Sequence, residues 1–521
     1  MRVNSHPACH ARDRLERQNR TTRLAGVNTA AWVFTFAVGS IAALALLWRL
    51  GAASMESWDE GIYAEVAREM LVRGDWLTPT WNFQLWFEKP PLVLWGMATG
   101  FRLFGVNEFW SRAPAAFAGI GLVLVTQAIG ARLRNLRTGV LSGLVLLSSY
   151  TFLFLARHGM TDVPLCLFLW LGVYAYLRAR DGSAAWWLLV WVNMALAFLT
   201  KSAAFAVAPA ALGIALTWDG RWKTVVRTRA FWYGAALAAL IALPWPILMW
   251  LRHGTAFLNE FLGYQVILRA VAPLENSRVG SLYYFQAMFW GTFPWSLLLP
   301  FAVLWGLRES RRNSSYRVVL LVPAVVLLQY FLVRTKLYWY VLPAYPAFAI
   351  LIASLIDRAC VRWAQLRRPL LLAFGCTVLL FAQVCLQGTD IVAASQYPNW
   401  TTLYDRTEMP LARLGRQAAG ALSGEASPLV LCTDETDAST IETLFYSGRP
   451  VQRAFAFKEP WPPPLSRRQL EKLSALLQAG PKDAILSKAL LPPLAHENEI
   501  TTLGEAGEYA YVRISLRTGT N

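Results

Sequence analysis

Apolar residues along the chain gather into runs of about 16 to 23, bounded by Arg, Trp, Gly and Pro. A helix needs roughly 20 apolar residues to cross about 30 Å of hydrocarbon. The pattern therefore predicts a mostly α, polytopic membrane protein. Its candidate spans cover residues 29–50, 113–131, 139–157, 163–178, 184–200, 203–218, 230–251, 285–307, 316–334, 338–357 and 369–388. The first run is longer than the 7–15 apolar residues of a signal-peptide core, so it reads as an uncleaved span. Residues 90–105 are also apolar. Counting them would make twelve, and the total expected lies between eleven and thirteen.

Loop charge orients these spans. Lys and Arg collect in short cytoplasmic loops, and residues 1–28 carry six arginines. Placing that basic tail inside puts Arg132, Arg134 and Arg137 inside too. The groups Arg178/Arg180, Arg221/Lys223/Arg227/Arg229, Arg308/Arg311/Arg312/Arg317 and Arg358/Arg362/Arg367/Arg368 follow. A span over 90–105 would reverse every later loop. That segment is therefore expected as an interfacial helix on the outer face or a re-entrant piece. The division predicted is a cytoplasmic tail (1–28), a transmembrane domain (29–388) and an extracytoplasmic domain (389–521). In the last, residues 428–433 and 509–515 read as strands, 437–446 as a helix and 460–464 as a proline-rich turn, so a small α/β domain is expected.

Composition agrees with the membrane reading. The 521 residues are 56% hydrophobic and 16% charged, against about a quarter charged in soluble proteins. The 24 Trp and 18 Tyr suit an interfacial belt. A net charge of +17 does not point to nucleic acid, because the cations sit in short loops and no nucleic-acid motif accompanies them. The six cysteines include no CxxC pair, so neither a zinc site nor a redox motif is indicated.

On this topology the outer face collects ionisable groups. Residues 57–70, SWDEGIYAEVAREM, have apolar positions at Ile62, Val66 and Met70 and predict an amphipathic helix lying on the membrane. Ser57 and Glu60 match a capping box, which leaves Asp59 the freer carboxylate. Glu88 and Lys89 precede a double proline at the water boundary. Asp162 lies in a very short loop between two apolar runs. Lys201 interrupts two more, and Arg269 and Lys336 lie in or beside outer loops. Each has an ordinary structural explanation: a helix cap, an anchor, a snorkelling side chain or a solvated charge. Gathered on one face they suggest chemistry. Acids can deprotonate an acceptor, and cations can hold a phosphate as it leaves.

The segments WDEGIYAEVAREML (58–71), GDWLTPTWN (74–82), FEKPPL (87–92), ARHGMTDVPL (156–165), LTKSAAFAVAP (199–209), GTFPWSLLLP (291–300) and TKLYWYVLPAYPAFAILIA (335–353) resemble, in order, those of GT-C-fold glycosyltransferases. The group includes protein O-mannosyltransferases and lipid A aminoarabinose transferases. The resemblance implies a polyprenyl-phosphate sugar donor, a lipid, glycan or protein acceptor, and transfer with inversion outside the bacterial cytoplasmic membrane. It implies Asp59 as base or acceptor-orienting group and Asp162 as the second acid. Lys89 would lie near the lipid phosphate, Glu88 beside the acceptor cavity, and Tyr345 matches a Tyr of the last segment. Glu60, Lys201, Arg269 and Lys336 are the further substrate-binding candidates. Two positions depart from the aminoarabinose enzymes: Ile62 stands where they typically carry Arg, and residues 272–284 contain no His. The cofactor question stays open between none and a divalent metal ion. A transporter or lipid flippase is the alternative from another class, and would be expected to show paired hydropathy halves.

Overall fold

A computed structural model describes residue 29 and residues 31–55, 59–274, 282–363, 410–420, 428–434, 443–457, 475–478, 480–496, 498–507 and 509–517, with scattered positions between 365 and 378. The basic tail, the predicted span 369–388 for the most part, and the prolines at 460–464 lie outside the described residues.

Helices occupy the other ten predicted spans, and local sequence sets their ends. Asn107 accepts from the Trp110 amide to open the helix Glu108–Leu133, and Asn135 accepts from the Thr138 amide to open Leu136–Leu147. A side-chain acceptor at this position satisfies an amide that the helix cannot. Among the described residues, five helices are long and apolar enough to cross a membrane, or six if Leu136–Leu147 and Tyr150–Ala156, bent by 70°, form one span. Several predicted spans are thus shorter or broken. The run 285–307 is divided into Tyr283–Gly291 and Leu299–Glu309. Residues 90–105 form the helix Leu92–Phe104, 13 residues long. At 1.5 Å per residue it extends roughly 20 Å, short of the hydrocarbon thickness.

The basic loops meet at one end of the bundle. Arg134, Asn135 and Arg137 all bind the buried Asp357. Arg132 pairs with Asp181, Arg317 with Asp219, and Arg221 reaches the Arg180 carbonyl. These contacts tie together loops that the charge count assigned to a single face.

The helix Asp59–Arg73 departs from expectation. It does not lie with a wet face on the surface; ten of its fifteen residues are buried. Its polar side chains are spent internally. Glu60 binds Arg112, Glu65 binds Arg68, and Glu69 accepts from the Thr80 hydroxyl and the Phe83 amide. Thr80 and Phe83 belong to a short hairpin, Thr80–Trp81 paired with Gln84–Leu85, which crosses the helix.

The C-terminal region forms a five-stranded mixed sheet. Its strands are β1 (Leu429–Asp434), β2 (Val451–Phe457), β3 (Lys482–Ser487), β4 (Asn498–Ala506) and β5 (Tyr509–Leu516), in the spatial order β2-β1-β3-β5-β4. β1 runs parallel to β2 and β3; β5 is antiparallel to β3 and β4. The sheet docks on the bundle beside the Asp59 helix. Asn82, at the hairpin tip, exchanges two hydrogen bonds of 3.0 Å with the Val451 backbone of the edge strand β2. Tyr446 accepts from the Met55 amide and donates to Glu108. Gly448, at φ 64°, leaves room for the Arg68 guanidinium, which lies 3.3 Å from where a Cβ would stand.

Candidate active site

A cavity opens at the bundle end opposite the basic loops. Its lining includes Asp59, Glu88, Lys89, Lys201, Gln265, Arg269, Gln329, Tyr330, Trp339 and Tyr340. The charged groups and Gln265 are delivered by breaks or irregular turns in the regular structure. Asp59 begins its helix. Glu88 and Lys89 precede the double proline before Leu92–Phe104. Lys201 caps the helix Trp186–Thr200, where the chain turns into a short 3-10 segment. Gln265 lies on the π-helical turn Asn259–Leu268 and Arg269 just after it. π-helical turns recur at functional sites because they re-aim side chains.

Asp162 stands one contact behind the cavity wall. Its Oδ1 accepts from Lys201 Nζ at 2.8 Å, while Oδ2 is buried without a hydrogen-bond partner among the described residues. Lys201 also lies over the Tyr340 ring at 5.2 Å, and the Tyr340 hydroxyl accepts from Arg269 at 3.2 Å. An acid, a cation, a phenol and a second cation thus run continuously along one wall. On the facing side Lys89 is 7% exposed, 3.8 Å from Glu88 and over the Tyr63 ring at 5.7 Å. Burial pulls the Lys89 pKa below its ordinary value, against the pull of Glu88 and Asp59 and with the help of Arg269 and Lys201. Glu88 accepts from Gln265 at 2.6 Å.

Of the nine candidates read from the sequence, Asp59, Glu88, Lys89, Lys201 and Arg269 line the cavity, and Asp162 supports it. Three stand elsewhere. Glu60 is 2% exposed, bound twice by Arg112 and once by the Gly159 amide. It fastens loops instead of facing a ligand. Tyr345 is buried in the bundle, its hydroxyl donating to the Ala287 carbonyl. Lys336 lies outside the lining, over the Tyr284 ring and near the Tyr330 and Val333 carbonyls. The sequence does not single out Tyr63, Gln265 and Arg112, because what distinguishes them is their partners, which lie up to 177 residues away. Among the described residues a divalent metal finds no ready donor set. Among the described residues no three His, Cys, Asp or Glu side chains come together. His253 packs against Phe87 and Thr78 instead.

The chain is similar to known proteins in both sequence and fold. Residues 88–250 match the family described as dolichyl-phosphate-mannose-protein mannosyltransferase. An uncharacterized protein of Aquifex aeolicus is 29% identical over 67% of this chain and 69% of its own length. The undecaprenyl phosphate-alpha-4-amino-4-deoxy-L-arabinose arabinosyl transferase 1 of Sodalis glossinidius is 31% identical over 68% of this chain, which spans 64% of that relative's length. The crystal structure of ArnT from Cupriavidus metallidurans bound to undecaprenyl phosphate superposes with a TM-score of 0.72 at 19% identity, covering 92% of this chain and 98% of that one. The chain is therefore a membrane protein with the GT-C fold, similar in sequence to proteins named as undecaprenyl phosphate-aminoarabinose arabinosyl transferases.

Proposed function

We propose that the protein transfers a sugar from a polyprenyl-phosphate donor to a lipid or glycan acceptor, with a protein acceptor as the further option. The observation that carries this reading is the convergence of Lys89, Lys201 and Arg269 with Asp59 and Glu88 around one cavity. Cations fixed in a partly desolvated site stabilise a departing phosphate far better than they would in water. The acceptor hydroxyl oxygen attacks the anomeric carbon and the bond from that carbon to the phosphate oxygen breaks. The polyprenyl phosphate leaves into the cationic wall. Asp59 takes the acceptor proton. The Asp162–Lys201 pair keeps the ammonium turned toward the cavity, and Glu88, held by Gln265, orients the sugar or acceptor.

The relatives' names support the donor class, since the transferases among them act from undecaprenyl phosphate sugars. They give no support to a transporter or flippase. The basic end facing the cytoplasm would place the cavity and the C-terminal sheet on the extracytoplasmic side of the bacterial inner membrane, with the N-terminus inside. The test is reconstitution in proteoliposomes with a panel of radiolabelled polyprenyl-phosphate sugars and a membrane lipid extract as acceptor. Label should move from donor to acceptor; no transfer from any donor overturns the proposal.

A further inference from the structure

Tyr63 belongs neither to the cavity lining nor to the residues that the sequence singles out, yet it touches both halves of the site. It lies one helical turn after Asp59, on the same helix face. It is 1% exposed. Its ring packs against Trp86 at 6.0 Å and lies beneath the Lys89 ammonium at 5.7 Å, within the range of a cation–π attraction. Its hydroxyl is buried and has no hydrogen bond of ordinary geometry among the described residues. Asp59 is the neighbour within reach, and Asp162 and Glu88 also face it. A buried hydroxyl without a partner is costly. Here it is retained among three carboxylates, where a phenylalanine would fill the same space.

We propose that Tyr63 is a positioning residue that couples the two halves of the site, its hydroxyl holding the Asp59 carboxylate and its ring holding the Lys89 ammonium. The inference rests on Asp59 being the base. Burial together with Asp59 and Asp162 raises the phenol well above its ordinary pKa, so the hydroxyl stays a donor at neutral pH. A donor bonded to a carboxylate fixes its orientation. Asp59 is then held in place to take the acceptor proton. Besides Tyr63, the charged groups facing Asp59 are Lys89, Lys201 and Asp162.

Two substitutions separate the roles. Tyr63→Phe keeps the ring and removes only the hydroxyl. In reconstituted protein it should lower kcat by about tenfold, the scale of one lost hydrogen bond to a charged group. Donor KM should stay within about twofold, and the melting temperature should stay that of wild type, so that the loss is confined to kcat. Tyr63→Leu removes the ring as well, and should in addition weaken binding of undecaprenyl phosphate by about threefold or more, read by tryptophan fluorescence in nanodiscs. A Phe variant with wild-type kcat overturns the hydroxyl's role. So does a kcat loss matched by a lowered melting temperature. Unchanged phosphate binding in the Leu variant overturns the ring's role. If wild type transfers no sugar from any donor, the failure falls on the glycosyltransferase reading, and the binding comparison of Phe with Leu still decides whether Tyr63 holds Lys89.

Discussion

Two adjacent carboxylates, Asp59 and Glu60, do different work, and substitution should separate them cleanly. Arg112 Nε and Nη2 bind Glu60 at 2.8 and 3.0 Å, and both side chains are 2% exposed. Arg112 also donates to the carbonyls of Leu50, Ala53 and Ser54. Glu60 accepts from the Gly159 amide at 2.8 Å, at a place where a Cβ would stand 3.0 Å from the Ser111 carbonyl. Three separate stretches of chain thus close on one ion pair. Removing one partner of a buried pair costs about 3–5 kcal/mol, because the other charge is left desolvated. Glu60→Ala should reach that range. Glu60→Gln keeps an acceptor for Gly159 but loses the charge, and should cost about 1.5–3 kcal/mol. The double change Glu60→Met with Arg112→Met should be milder than either single removal. The assay is thermal unfolding in nanodiscs at a fixed scan rate, since large proteins often unfold irreversibly. Both single Glu60 variants should melt several degrees below wild type, whereas Asp59→Asn, whose side chain faces the cavity, should melt near it. A Glu60→Gln protein that melts like wild type but no longer transfers sugar would refute the division of roles.

Three further outcomes follow from the same geometry. Lys89→Met should raise donor KM by at least about tenfold, the scale of one charged phosphate contact. In wild type the phosphate grip needs the ammonium. Because burial lowers the Lys89 pKa, the charged form is present below that lowered value and fades as pH rises through it. Donor KM should therefore climb at a lower pH than an exposed lysine, near about 10.4, would give, and Lys89→Arg should remove this limb because Arg stays charged. Lys201→Met should abolish transfer and destabilise the protein, leaving Asp162 at 6% side-chain exposure without its 2.8 Å partner. Adding Asp162→Asn should restore the melting temperature without restoring activity. Asn82→Ala removes both bonds to Val451; limited proteolysis should then cut the C-terminal sheet from the bundle faster, while the bundle's own melting changes little.

What the sequence discloses and what it hides follow from range. Asp59, Lys89, Lys201 and Arg269 are legible because an ionisable side chain at the edge of an apolar run is costly unless it has work to do. The basic loops are legible for the same reason, and their ion pairs at Asp357, Asp181 and Asp219 gather at one end. Glu60 misleads because its partner lies 52 residues ahead; locally it looks like a cap beside a catalytic acid. The Asp59 helix misleads more deeply. Its charges read as a wet face, but Glu65, Arg68 and Glu69 are satisfied inside the protein, beneath the hairpin and the C-terminal sheet. Hydropathy finds where apolar runs lie but not where they break. The 70° bend after Leu147 and the π-helical turn that presents Gln265 to Glu88 come from tertiary packing.

The central claim is that the cavity bounded by Asp59 and its cations carries out sugar transfer. It is tested most directly by assaying wild type beside Asp59→Asn in the same proteoliposomes, with the donor that the panel selects. The account predicts transfer by wild type and a loss of at least about a hundredfold in kcat for the variant, as removal of a general base gives, with undecaprenyl phosphate binding retained. Undiminished transfer by Asp59→Asn would contradict it.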